Sequence, residues 1–136
     1  MENIQAAEWC RTFLRRQVKP GELCIDATAG NGHDTEFLCE LVGENGRVLA
    51  FDIQEQALEK TRRRLESAGL AERARLILQG HERMDAYAEA GTASAIVFNF
   101  GYLPGGDHRK GTRAETSVRA VEAGLKLLAE GGIMCL

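Results

Sequence analysis

The sequence predicts a doubly wound α/β domain with a mostly parallel sheet. Short, nearly unbroken apolar runs recur along the chain: "LCID", "RVLAFD", "ARLILQ" and "SAIVFN". Segments with helical apolar spacing separate most of them. A glycine-rich turn, "DATAGNGHD", follows the first run directly. Strands apolar on both faces, alternating with amphipathic helices, imply a parallel sheet covered on both sides.

The elements follow in order. Residues 4–16 predict a helix, with Ile4, Ala7, Trp9, Phe13 and Leu14 as its apolar positions among Arg11, Arg15 and Arg16. "KPGE" breaks it. "LCID" is strand one. "HDTEFLCELV" is a helix whose Asp34 and Glu36 sit at the positive end of its dipole, with Phe37, Leu38 and Leu41 as a buried stripe. "ENG" turns into strand two, "RVLAFD". "QEQALEKTRRRLESAG" is a helix with Leu58, Thr61, Leu65 and Ala68 on one face and Gly69 as its stop. "ARLILQ" and "SAIVFN" are strands three and four. "RAETSVRAVEAGLKLLAEGG" is a helix expected to turn Val118, Val121, Leu125 and Leu128 inward and to end at Gly131. "IMCL" starts strand five.

Composition narrows the function classes. The 136 residues form one domain, 1–136, with residues 1–20 as its N-terminal helix region. A hydrophobic fraction of 44% is enough for a core, and a net charge of −3 excludes a global basic field. A local basic patch is still sufficient for RNA. The four cysteines lack CxxC spacing and read as reduced thiols of a cytoplasmic protein. No apolar run approaches membrane-spanning length, and "MENIQAAEWC" is not a signal peptide. The three histidines have no ligand spacing, so no metal is expected.

The glycine turn carries the chemistry. Gly30 and Gly32 allow a tight bend and close ligand approach, and the following helix offers free N–H groups. A P-loop requires a lysine that is absent here. A dinucleotide fold wants a small residue where Thr35 stands. S-adenosylmethionine (SAM) suits an acid at the end of strand one, where Asp26 can sit near the ligand's ammonium group directly or through water. Asp52 ends strand two, twenty residues beyond Gly32. It can accept from ribose hydroxyls, or cap the helix that begins near Gln54. Asn99 closes strand four and opens "NFGYLPGGD". Its amide oxygen can orient a neutral amine for methyl transfer, and Tyr102 can stack on a base. The alternative is a rigid loop with Tyr102 and Leu103 in the core.

Among the basic residues, Arg62 to Arg64 read as a solvated helix face. Arg109, Lys110 and Arg113 border the expected pocket and read as phosphate contacts, with Arg11, Arg15, Arg16 and Lys19 as an extension.

The segments "DATAGNGHDTEFL", "FDIQEQAL", "QGHERM" and "NFGYLPGGDHRKGT" together resemble a family of small bacterial methyltransferases long labelled rRNA methylases. Members are associated with the last methylation of a tRNA wobble uridine, giving 5-methylaminomethyl-2-thiouridine. The resemblance runs over essentially the whole chain. It implies a Rossmann-like class I methyltransferase fold, SAM as donor and the tRNA anticodon region as partner. It places Thr28, Ala29, Gly30, Asn31, Gly32, Asp34 and Thr35 on the methionine side. Asp52 and Gln54 take the ribose region, and His81 the adenine side. Asn99, Phe100, Gly101, Tyr102 and Leu103 lie beside the sulfonium and the substrate. Asn99 would position the amine, Tyr102 would pack the base, and water or Asp107 would take the proton. This chain carries N-F-G-Y where many amino-methylating enzymes have N/D-P-P-Y. The sheet order of the class, 3-2-1-4-5-7-6, would here be cut after strand five, without the last two strands. The exposed edge would then favour a homodimer or edge pairing. A nicotinamide-dependent oxidoreductase and a non-catalytic SAM-binding fragment are the rival readings.

Overall fold

The computed structural model describes residues 2–99 and 110–136. Its elements are α1 (Glu2–Gln17), β1 (Leu23–Asp26), α2 (His33–Val42), β2 (Arg47–Asp52), α3 (Glu55–Ala68), β3 (Ala74–Leu78), β4 (Ala93–Val97), α4 (Lys110–Leu127) and β5 (Leu128–Cys135). Short 3-10 turns lie at Ala71–Arg73 and His81–Ala86. The five strands form one sheet in the order β3-β2-β1-β4-β5, and every neighbouring pair is parallel. This is the expected Rossmann-like, doubly wound arrangement of a class I methyltransferase core.

Both faces of the sheet are covered, and the strand alternation shows how. Cys24, Val48 and Val97 point into a core with Leu14 and Val18 of the α1 region, Phe37, Leu38 and Val42 of α2, and Leu65 of α3. Ile25, Leu49, Phe51 and Ile96 point the other way, onto Met84 and onto Ala120, Ala123 and Leu127 of α4. Successive strand residues serve opposite layers, so the central strands carry no polar face. Strand order reverses between β1 and β4. The register pairs Asp26 with Ala50 and Val97, and Asp52 with Leu78, which brings the carboxyl ends of four strands to one edge.

Two expectations about the last helix need correction. Val118 and Leu125 are not inward; they are 59% and 60% exposed. The buried face is Ala120, Ala123, Gly124 and Leu127. Close approach explains the choice. A Cβ at Gly124 would stand 2.6 Å from the Met134 methyl carbon of β5, so small residues must face the sheet. The helix also ends at Leu127 rather than near Gly131, because Leu128 already pairs with Ala93. The next pair is Ala95 with Ile133, so Ala129–Gly132 bulge out of the ladder. On α1, Leu14 is buried while Trp9 and Phe13 are exposed and stack on each other, 6.3 Å between centroids.

Candidate functional site

The turn after β1 is held by both neighbouring strands. Ala27 N–H donates to Val97 O and Ala29 N–H to Phe51 O, each at 2.8 Å. The chain then bends through Gly30 (φ +56°) and Gly32 (φ +90°) into α2. Gly32 cannot be replaced without strain: a Cβ there would lie 2.9 Å from Thr61 Cα. The glycine lets the start of α2 rest on α3.

Asp26 lies beneath this turn and is fully buried. Its Oδ2 accepts from the Thr35 hydroxyl at 2.6 Å, and its Oδ1 accepts from Thr28 N–H at 3.1 Å. The carboxylate thus joins the end of β1 to the first turn of α2. Burial pushes its pKa up to about 7, and the charges of Asp34 and Asp52 add to the rise. The Thr35 and Thr28 hydrogen bonds oppose it.

Asp52 is partly exposed at the end of β2. Its Oδ2 accepts from Gly30 N–H at 3.0 Å and its Oδ1 from Gln54 N–H at 2.8 Å. The capping alternative is realised only as this local bond, because α3 starts at Glu55 with Gln54 as its N-cap. Each carboxylate oxygen keeps further acceptor capacity. Ile53, the next residue, is 74% exposed. An apolar side chain held in water beside a strand-end acid is a ready surface for a planar ring. The sequence signal for it was the apolar residue immediately after the acid.

His81 begins the 3-10 turn after β3. Its ring lies 5.9 Å from that of buried Phe98. Burial lowers its pKa, against the pull of Glu82 and Asp52, so the imidazole is neutral at pH 7. On the other side of the sheet's midline, Asn99 N–H donates to Thr28 Oγ1 at 2.7 Å. That bond ties the end of β4 to the turn after β1. The structure therefore brings the segments carrying Asp26, Thr28 to Gly32, Asp52 and Asn99 to one edge. Phe100, Gly101, Tyr102, Leu103, Asp107 and Arg109 lie outside the described residues. Lys110 and Arg113 belong to the first turn of α4.

The basic residues divide differently from the expectation. Arg11 pairs with Asp34 at 3.1 Å, and both Arg11 and Arg15 lie over the Phe37 ring. These two hold α1 against α2. In the "RRR" run, Arg62 and Arg63 do pair with Glu59 on an exposed face. Arg64 does not belong to that face. Its Nε donates to Asn31 O at 3.0 Å, Nη1 to Glu36 at 3.2 Å, and Nη2 contacts His33 Nε2 at 3.2 Å. One turn earlier on α3, the Thr61 hydroxyl donates to Gly30 O at 3.2 Å. Thr61 and Arg64 thus brace the glycine turn from outside, a role that needs tertiary contact to be seen.

A family model described as "Putative rRNA methylase" matches residues 48–136. The chain belongs to that family. Its similarity to solved structures covers nearly the whole chain. A structure described as a "putative rRNA-methylase" from Clostridium thermocellum shares 44% identity and a TM-score of 0.87, over 95% of this chain and 69% of that one. A "putative methyltransferase" from Streptococcus mutans, solved in complex with SAH, shares 37% identity and a TM-score of 0.82, over 95% and 70%. The chain is also 33% identical to the Arabidopsis thaliana tRNA (mnm5s2U34)-methyltransferase, chloroplastic. That match covers 97% of this chain, which spans 52% of the relative's length. This rRNA methylase family member therefore has a methyltransferase fold related to RNA-modifying enzymes. No helix among the described residues is long and apolar enough to cross a membrane.

Proposed function

We propose that this chain is a SAM-dependent N-methyltransferase acting on the 5-aminomethyl group of wobble 2-thiouridine in tRNA. The observation that carries the cofactor reading is the Asp52 carboxylate. It bridges Gly30 N–H and Gln54 N–H, so a ribose-binding acid and the glycine turn form one unit. The residues fit SAM by their chemistry. Asp52 and Gln54 take the ribose hydroxyls, Ile53 packs on one face of the adenine, and neutral His81 borders its edge. The Thr28–Gly32 turn, with Asp34 and Thr35, forms the methionine side. Asp26 acts there through Thr35 and Thr28.

When bound, SAM supplies a methyl group on a sulfonium, open to attack by a neutral amine. Asn99 orients that amine by accepting one of its N–H groups. Tyr102 packs the base, and Phe100, Gly101 and Leu103 complete the wall. Water or Asp107 takes the released proton. Arg109, Lys110 and Arg113 contact the RNA phosphates. The similarity to the tRNA methyltransferase of Arabidopsis thaliana supports the substrate. A cytoplasmic location agrees with the reduced cysteines.

A nicotinamide reading is disfavoured by Thr35, which stands where a dinucleotide turn wants a small residue, and by Asp26 beneath the turn. Calorimetry with SAM, SAH and NAD separates the two. Binding of SAM and SAH without NAD is expected; the reverse result removes the reading. Methyl transfer from labelled SAM to tRNA lacking the final methyl group then tests the activity. SAM binding without transfer leaves the non-catalytic alternative standing.

A further inference from the structure

Outside the strand-end site, a shallow open groove of about 490 Å³ runs between α3 and the start of α2, lined by Asn31, His33, Lys60, Arg63, Arg64 and Ser67. Positions 60, 63, 64 and 67 fall at i, i+3, i+4 and i+7, one continuous stripe of α3. No acid lines it. Lys60 makes no ion pair among the described residues. Arg63 engages Glu59 through Nε alone, and its side chain is 77% exposed, so both terminal nitrogens remain at the surface. Arg64 is committed to the glycine turn, and its Nη2 contacts His33 Nε2 at 3.2 Å. The groove thus offers ammonium, guanidinium, hydroxyl and amide donors on a chain whose net charge is −3.

We propose that this groove is a docking track for the phosphodiester backbone of the RNA substrate. The inference rests on RNA being that substrate. Glu59 and Glu36 engage Arg63 and Arg64 from the sides, and the Lys60 ammonium and the terminal nitrogens of Arg63 remain to select an anion. The groove's open form favours a backbone passing through over a small molecule, which binds best where it is enclosed. Its position adds a functional link, because Asn31 belongs to the glycine turn. A backbone held here runs along the outer wall of the turn whose inner side faces the strand ends.

The test is fluorescence anisotropy of an anticodon stem-loop RNA, across a salt series, with the parent chain and with K60E/R63E. Arg64 is left intact because it braces the turn. The double variant is expected to bind RNA about tenfold or more weakly, with the slope of log K against log salt smaller by about one to two. SAH binding by calorimetry should be unchanged. If charge reversal disturbs folding, K60Q/R63Q gives the same readout with a smaller loss. Unchanged RNA affinity and slope overturn the groove and leave the substrate reading standing. Absence of RNA binding by the parent chain overturns both. Inorganic phosphate at matched ionic strength should compete no better than chloride; displacement by phosphate assigns a single-phosphate pocket and overturns the backbone track.

Discussion

At the scale of single residues, Asp26 makes the sharpest statement about pH. Its folded pKa is raised from 3.8 to about 7. A raised carboxyl pKa means the folded chain binds the proton more tightly than the unfolded chain. Stability from this group is therefore greatest at low pH and declines as pH rises from about 4 to about 7, by roughly 4 kcal/mol at most. Asp26→Asn should flatten that decline in urea melts taken across the window, at the cost of one imperfect bond to Thr28 or Thr35. An unaltered slope would show that Asp26 is ionised throughout. Gly32 makes a second prediction. Gly32→Ala forces a φ of +90° on a residue with a Cβ, 2.9 Å from Thr61 Cα. It should lower stability by about 1–3 kcal/mol and weaken SAM binding together. Gly69 is the control: its φ is +74° but nothing lies within 4 Å of a Cβ, so Gly69→Ala should cost less and spare SAM.

At the scale of elements, the first four strands and the first three helices were legible because each satisfies one local rule, whereas β5 starts at Leu128, inside the segment read as helix. "LCID", "RVLAFD" and "SAIVFN" are apolar on both faces because helices cover both, and Gly69 stops α3 in the left-handed conformation. The last helix was not legible. Its bulky apolar residues Val118 and Leu125 suggested an inward stripe, yet the close approach of α4 to β5 puts Ala120, Ala123 and Gly124, with Leu127, on the buried face. Asp26, Asp52 and the glycine turn were readable from their spacing. The bracing by Arg64 was hidden, because an arginine in a charged run looks solvated until its partners on α2 are in place. Arg64→Met tests that bracing. It removes the donors to Asn31 O, Glu36 and His33 but leaves the sheet intact. SAM affinity should fall about five- to tenfold in calorimetry, while the melting temperature shifts by only a few degrees. Arg64→Lys should recover little, since one ammonium cannot span three acceptors. A large loss of stability with unchanged SAM affinity would make Arg64 a packing residue only.

At the scale of the molecule, exposed apolar side chains lie at both ends of the sheet, Ile53 and Leu78 on the β2–β3 side and Val118 and Leu125 on the α4–β5 side. Among the described elements β5 is a sheet edge, paired with β4 alone. Val118 and Leu125 lie on the exposed face of α4, the helix that packs its small residues on the same strand. The N-terminal helix also ends here: the Gln17 amide donates to Gly131 O in the bulge of β5, and the Cys10 and Cys135 thiols meet. Exposed apolar side chains on α4 favour association between copies. Light scattering over a wide concentration range should therefore give a mass that rises above the monomer. V118E/L125E should suppress association, with little change in melting temperature because both side chains are already in water. Association that persists in that variant would rule out the α4 face as the contact. A monomer at every concentration in the parent chain would show that this face does not drive assembly.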